Sequence, residues 1–144
     1  MRSSLGPDAE RVTVQRMVTP GVDVRIRCVT DEHIGPVVIL DIGSMPFVRP
    51  GGEHASRLAP LSAAAAAALV EASPVGAALR TTDVTTDLLI DTLVRVSHLV
   101  VDHPQIAELD INPVIVSTTG CTVTDAKVRI RTTSYVTKPL RHLS

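Results

Sequence analysis

Aromatic residues are almost absent from this 144-residue chain, which holds one phenylalanine, one tyrosine and no tryptophan. Proteins that bind single-stranded nucleic acid stack the bases on aromatic side chains. Phe47 and Tyr135 alone cannot form such a platform, which excludes this class of binder. An adenine ring bound by this chain would have to lie between aliphatic side chains.

An excess of charge is also lacking, because the formal net charge is −1 and the basic residues are not gathered in one segment. Nucleic acid is therefore not an expected partner. No stretch reaches the roughly 18 consecutive apolar residues that cross a bilayer, and the first residues have no apolar signal-peptide core. The sequence predicts a cytoplasmic protein with no membrane partner.

Metal-binding and disulfide patterns based on cysteine and histidine are missing as well. Cys28 and Cys121 each stand alone in a strand-like pattern, which favours buried, reduced thiols. His98 and His103 fall on or at the end of a predicted helix with no third ligand nearby, so solvated or capping roles are expected. His54, in a predicted loop, is likewise interpreted as a solvated residue rather than a phosphorylated one.

Apolar residues make up 44% of the chain, enough for one compact core. In the first half, alternating patterns and short turns predict an antiparallel meander. The continuous apolar run from Val37 to Leu40 predicts burial on both faces of its strand. Residues 43–60 are rich in glycine and proline and are predicted to form a long loop. The three predicted strands span residues 11–18, 22–29 and 36–42.

The second half predicts two helices and two further strands. Ser62 is a suitable N-cap for a helix over residues 63–72, which Pro74 and Gly76 should end. A second helix is predicted to run to about residue 102, because apolar residues recur there at helical spacing, namely Leu89, Leu93, Val96 and Val100. The last strands are predicted over residues 106–116 and 121–130, joined by a turn. The fold class is therefore α+β, with a largely antiparallel sheet.

Oxygen-bearing side chains converge on the last strand pair. Glu108, Asp110 and Asn112 share one face of their strand by alternation. A hairpin centred on residues 118–119 places Asn112 directly opposite Asp125, with Cβ atoms about 4.5–5.5 Å apart. Few, hard oxygen ligands suit magnesium that is held jointly with substrate phosphates. The alternative interpretation is that these residues are solvated on an exposed sheet face.

The residues that carry this pattern also resemble a known family. The run Glu-Leu-Asp-Ile-Asn-Pro at 108–113, followed by Thr-Asp-Ala-Lys at 124–127, resembles the closing motif of NDP-forming acyl-CoA synthetases. Succinyl-CoA synthetase β-subunits and ADP-forming acetyl-CoA synthetases belong to this family. Further matches in the family's order occur at residues 14–18, 21–24, 35–38 and 57–61. The resemblance implies the C-terminal lobe of an ATP-grasp domain over residues 11–130, with two helices packed on the sheet, an N-terminal extension at 1–10 and a tail at 131–144.

The resemblance also implies roles for individual residues. Asn112 and Asp125 match magnesium ligands, and Asp110 matches an acidic position that faces the phosphoryl group during transfer. Asp23 stands where the family usually has glutamate. The interlobe hinge that recognises the adenine edge is matched by Gln15, Arg16, Met17 and Val18. The implied cofactors are Mg²⁺ and ATP or ADP.

Two departures from the family pattern concern catalysis. A glycine-rich run of the family is replaced by residues 41–49, where Ser44 and Pro46 restrict the backbone and Arg49 reverses a charge. The other ATP-grasp lobe, with its phosphate-binding lysine, would precede residue 11. We therefore expect the chain to need that lobe and a CoA-ligase domain, on the same or a separate chain, to be inactive alone and to self-associate.

Two functions follow from these observations. The first is the nucleotide- and magnesium-binding half of an NDP-forming acyl-CoA synthetase, which reversibly converts an acid, CoA and ATP into acyl-CoA, ADP and phosphate. The second is a degenerate, non-catalytic lobe that serves as an interaction or regulatory module, for example one attached to an acyltransferase. The acyl substrate cannot be inferred, since its site belongs to other domains.

Overall fold

The computed structural model of the protein describes residues 12–43 and 55–132. Within these residues six strands form one antiparallel sheet, and three helices pack on one of its faces. The strands are β1 (Val22–Asp31), β2 (Gly35–Ile42), β3 (Ala55–Leu58), β4 (Ile106–Ser117), β5 (Gly120–Val123) and β6 (Ala126–Ile130). The helices are α1 (Ala63–Ala72), α2 (Pro74–Arg80) and α3 (Asp87–Asp102). This arrangement confirms the predicted α+β class and the antiparallel sheet.

The sheet has the strand order β3-β2-β1-β4-β5, and β6 also pairs with β4. β1 is central, since β2 occupies one of its edges and β4 the other. Its alternation is the predicted one: Val24, Ile26 and Cys28 are buried under the helices, and Arg25 and Arg27 point to the opposite face. Burial raises the pKa of the Cys28 thiol to about 12, as expected for a buried, reduced cysteine.

The core lies between the sheet and the helices. α3 crosses β1, β2, β4 and β5, and the four apolar residues that predicted this helix are all buried. α1 begins at the predicted N-cap, where the Ser62 hydroxyl accepts a hydrogen bond from the Ala65 N–H at 3.1 Å. The buried Ser97 hydroxyl accepts from the Leu61 N–H at 2.9 Å, which fixes the chain entering α1 against α3. Among the described residues, no helix is long and apolar enough to cross a membrane.

The predicted first strand is wrong. Residues 12–20 have no regular secondary structure, and Val12, Val14 and Met17 are 82–93% exposed. The physical reason is topological, because both edges of β1 are already paired and the segment that leads into β1 cannot pair beside it. Alternation alone does not reveal whether a free sheet edge is within reach.

Four further expectations need correction. The predicted loop at 43–60 contains β3, whose four residues are too few for a periodic signal. α1 ends at Ala72 as predicted, but Pro74 begins the additional helix α2, since proline is tolerated at the first position of a helix. Three helices of the described chain, rather than two, therefore pack on the sheet. In β2 only Val38 and Leu40 are fully buried, because the described helices cover one face of the sheet alone. The predicted strand at 121–130 is divided into β5 and β6.

Candidate magnesium and phosphate site

The sequence Asn112-Pro113 forms a bulge in β4. Along β1, Val24 lies opposite Val114 and Ile26 lies opposite Ile111, so that two residues of β4 face the single residue Arg25. Proline cannot donate a ladder hydrogen bond, and in a central strand it is accommodated at a bulge. Asn112 is the first of the two residues at this bulge. The Asn112–Pro113 peptide bond is cis.

On its other edge, β4 keeps the predicted hairpin register through the same point. Val114 pairs with Val123 and Ile111 pairs with Ala126, with Asn112 and Asp125 opposite each other between them. The Asn112 N–H donates to the Asp125 carbonyl oxygen at 3.1 Å. The prediction that Asn112 lies across from Asp125 is therefore confirmed, and Asp125 falls in the short interruption between β5 and β6.

The interruption is held by Thr124. Its N–H donates to the Pro113 carbonyl oxygen at 3.1 Å, and its hydroxyl donates to the same oxygen at 2.8 Å. Both strands therefore leave regular pairing together and remain hydrogen-bonded to each other. The position of the Asp125 backbone next to Asn112 is fixed from both sides.

The end of β2 also lies beside Asn112. The Gly43 N–H donates to the Asp23 carbonyl oxygen at 2.9 Å, which brings the end of β2 to the start of β1. A Cβ atom on Gly43 would lie 3.0 Å from the Asn112 side-chain oxygen. The missing side chain leaves room for that oxygen. Asn112, Asp125, Asp23 and Gly43 thus belong to one end of the sheet, which we call the bulge site.

The donors of the bulge site suit magnesium but do not form a complete cage. Asn112 supplies an amide oxygen and Asp125 an exposed carboxylate, both hard ligands. Within the part of the chain that the structure describes, no three His, Cys, Asp or Glu side chains are grouped closely enough to hold a metal ion. An ion bound to Asn112 and Asp125 would need water or phosphate oxygens to complete its coordination, which is the usual way proteins bind Mg²⁺.

Charged residues occupy the face of the sheet opposite the helices. This open face, formed by Arg25, Arg27, Asp41, Glu108 and Asp110, carries charges of alternating sign from strand to strand. Arg25 lies opposite Asp41 in the β1–β2 register, and Asp110 lies opposite Lys127 on β6. Glu108, in turn, accepts from Arg27 Nε at 2.8 Å and from Arg129 Nη2 at 3.1 Å.

Asp110, the candidate for the phosphoryl-facing acid, is engaged by Arg25. Arg25 Nε donates to Asp110 Oδ1 at 2.8 Å, and Nη2 donates to Oδ2 at 2.5 Å, so the pair is bidentate. The side chains are only 16% and 21% exposed. The hydrogen bond from Arg25 lowers the pKa of Asp110 and, reciprocally, raises that of Arg25. Asp110 does share the face of Asn112, as predicted, but as the anion of an ion pair.

The predicted adenine-binding residues lie mostly at the surface. Gln15, Arg16 and Met17 are exposed, and Val18 is half-buried, in the irregular segment that leads into β1. Asp23 is half-buried at the start of β1, beside Gly43. His98 is exposed on α3, and the His103 N–H caps the end of this helix by donating to the Leu99 carbonyl oxygen at 3.1 Å. Ser44, Pro46, Arg49 and His54 lie outside the described residues.

Sequence reasoning missed the bulge and the ion pairs, although one signal was available. The buried residues of β4 run Leu109, Ile111, Val114 and Val116, so the alternation shifts by one residue at Asn112-Pro113. Such a shift at a proline within a strand indicates a bulge. The partner of Asp110 had no comparable signal, because a bulge changes which residue of β1 each β4 side chain can reach.

Comparison with known proteins agrees with this fold. Residues 2–130 match the ATP-grasp domain family. The chain is 31% identical over 125 residues to acetate–CoA ligase [ADP-forming] I of Archaeoglobus fulgidus, covering 83% of this chain and 18% of that protein. It is 30% identical over 128 residues to the β subunit of acetate–CoA ligase [ADP-forming] I of Pyrococcus furiosus, covering 85% of this chain and 55% of the subunit.

Among solved structures, a similar one is acetyl-coenzyme A synthetase 1 of Ca. Korarchaeum cryptofilum in complex with coenzyme A and Mg-AMPPCP. It shares 30% sequence identity and a TM-score of 0.71, over 79% of this chain and 55% of that one. The chain belongs to the ATP-grasp domain family, and its relatives are ADP-forming acetyl-CoA synthetases. It spans about half the length of the Pyrococcus furiosus subunit and a smaller share of the Archaeoglobus fulgidus ligase.

Proposed function

We propose that the chain is the magnesium- and nucleotide-binding C-terminal lobe of an NDP-forming acyl-CoA synthetase. The whole module would convert an acid, CoA and ATP into acyl-CoA, ADP and phosphate, reversibly. The observation that carries the proposal is the bulge site, where Asn112 and Asp125 lie opposite each other beside the side-chain-free Gly43. A site with two hard oxygen ligands fits an ion that arrives with a nucleotide, since phosphate oxygens complete its coordination.

Each residue of the site has a defined task in this proposal. Asn112 and Asp125 hold Mg²⁺, which neutralises phosphate charge when bound. Gly43 has no side chain, so the backbone at the end of β2 can approach the phosphates. The Gly43 N–H donates to the Asp23 carbonyl oxygen, which holds this backbone beside the start of β1. Asp110 lies on the same face two residues before Asn112, toward the phosphoryl group. The exposed segment Gln15, Arg16, Met17 and Val18, with Asp23, recognises the adenine edge.

The proposal assigns two partners to the chain. Since the relatives are longer, the preceding ATP-grasp lobe and a CoA-ligase domain complete the enzyme, on the same or another chain in the cytoplasm. The outer edge of the sheet supports an association of this kind, because Val123, Val128 and Ile130 are 48–58% exposed there. Self-association of the isolated chain through this edge is expected for the same reason.

The alternative function, a non-catalytic interaction lobe, is favoured by one specific observation. Both carboxylate oxygens of Asp110 accept hydrogen bonds from Arg25, so the two side chains together bring no net charge to the phosphoryl group. In this case the bulge site would retain its geometry without supporting transfer. The two functions differ in whether magnesium-dependent nucleotide binding depends on Asp125.

Calorimetry of ATP and ADP binding, with and without Mg²⁺, tests the proposal. The titrations use the chain alone and the chain supplied with the complementary lobe. We expect binding only with both lobes and Mg²⁺ present, and its loss in Asp125→Asn. The matched control is Asp102→Asn, which removes an exposed carboxylate at the end of α3, outside the strands that form the bulge site. No binding in any combination, or equal binding by both variants, would favour the non-catalytic lobe.

A further inference from the structure

Arg25 occupies a special position relative to the bulge. It is the single residue of β1 that faces the two residues Asn112 and Pro113 of β4. Asp110 lies opposite Arg27 in the register of β1 and β4, but the Arg25 guanidinium reaches diagonally and bonds both oxygens of Asp110, two residues before Asn112. The bulge therefore places beside the bulge site a cationic side chain that is bonded to a carboxylate of the open face.

The Arg25 guanidinium occupies both carboxylate oxygens of Asp110, which a bound metal ion would otherwise contact. The two side chains are largely shielded from solvent, and the planar fork of arginine matches the carboxylate in two bonds. Residues two apart on a strand are about 7 Å apart on the same face, since each residue rises about 3.3 Å. An ion near Asn112 would thus be within reach of Asp110 if Arg25 released it.

We propose that Arg25 is a positioning residue that withholds Asp110 from the cation site, and thereby makes divalent-ion binding at the bulge site dependent on nucleotide phosphate. The inference rests on the proposed magnesium site. With Asp110 engaged, the protein offers the ion one carboxylate and one amide oxygen. With Asp110 released, it would offer two carboxylates and the amide, and ion affinity increases with the number of charged ligands.

The surrounding charges supply an internal control. Arg27 lies on the same face of β1 and donates Nε to Glu108 Oε1 at 2.8 Å, the same distance as that from Arg25 Nε to Asp110 Oδ1. Both arginines are half-buried and each lies on the strand that is central to the sheet. Removal of Arg27 changes the net charge of the open face by the same amount, but the carboxylate that it bonds, Glu108, is four residues from Asn112 and keeps its hydrogen bond from Arg129.

Binding of Mn²⁺ in the absence of nucleotide, measured by electron paramagnetic resonance on the whole chain, tests the inference. The expected result is an increase in Mn²⁺ affinity of at least about tenfold in Arg25→Met, since one charged ligand is gained. Arg27→Met should change the affinity far less than Arg25→Met, because Arg27 lies opposite Asp110 but donates Nε to Glu108. Asp110→Asn should not raise the affinity in the wild type, and it should abolish the gain in the Arg25→Met background. Arg25→Lys, which keeps the charge but loses the bidentate fork, should show a smaller gain.

Three results would overturn the inference: equal Mn²⁺ affinity in the wild type and Arg25→Met, a gain that persists with Asp110→Asn, or an equal gain in Arg27→Met. Should Arg25→Met not fold, as judged by circular dichroism, Arg25→Lys with and without Asp110→Asn decides in its place. Failure of the proposed function is recognised separately, because there Asp125→Asn leaves magnesium-dependent nucleotide binding intact whatever the Arg25 variants do.

Discussion

The two faces of the sheet are built from alternate residues of the same strands and have opposite character. Under the helices, Val24, Ile26, Val38 and Leu40 are fully buried and form the core. On the open face the intervening positions of β1 carry Arg25 and Arg27, whose partners are carboxylates of β4. Stability is therefore concentrated on the helix-covered face, whereas the chemistry that distinguishes this chain lies on the open face and at the bulge site next to it.

The largest expected effect comes from comparing adjacent residues of β2. Leu40→Ala removes a fully buried side chain under the helices and should lower the free energy of unfolding by about 2–5 kcal/mol. Ile39→Ala changes the neighbouring residue, which is half-buried on the open face, and should cost less than about 1.5 kcal/mol. Urea denaturation followed by circular dichroism measures both. Equal losses would show that the open face is packed like a core.

The ion pairs of the open face predict a dependence of stability on pH. The hydrogen bond from Arg27, followed by that from Arg129, lowers the pKa of Glu108 in the folded chain. The stabilisation is complete above the pKa of an unfolded glutamate, about 4.3, and is lost as the pH falls through the lower folded pKa. Urea midpoints measured between pH 7 and pH 3 should fall less steeply for Glu108→Gln than for the wild type. Parallel curves would show that Glu108 is not stabilised by its partners.

The smallest effect on stability, but a clear one on binding, is expected at Gly43. Its added Cβ in Gly43→Ala would lie 3.0 Å from the Asn112 side-chain oxygen, so Asn112 must shift by a few tenths of an ångström. Magnesium-dependent nucleotide binding should weaken by roughly threefold to tenfold. Gly120→Ala is the matched control, because a Cβ there meets no atom within 4 Å. Equal calorimetric affinities for the two variants would show that Asn112 does not bind the ion.

The features that local rules govern were predictable from the sequence. Ser62 indicated the start of α1, and the apolar spacing of α3 identified each of its four predicted core residues. The hairpin turn fixed the register of β4, and with it the Asn112–Asp125 pair, because a turn determines which residues lie opposite each other.

The features that depend on distant segments were not predictable in the same way. β3 exists because Ala55 and its neighbours pair with β2 across the intervening residues, and four residues carry no usable period. The predicted strand at 11–18 does not form, because β1 has no free edge. The partner of Asp110 depends on a bulge that shifts the register between β1 and β4, so that alternation alone could not identify Arg25.

The central claim is that a divalent ion enters with nucleotide and binds at Asn112 and Asp125. Paramagnetic broadening of backbone amide signals by Mn²⁺ with AMPPCP, measured by NMR on the chain supplied with its complementary lobe, tests it most directly. The account predicts broadening centred on Gly43, Asn112 and Asp125, and its disappearance in Asp125→Asn. Broadening centred elsewhere, for example at Asp102 and His103 at the end of α3, or no broadening at all, would contradict it.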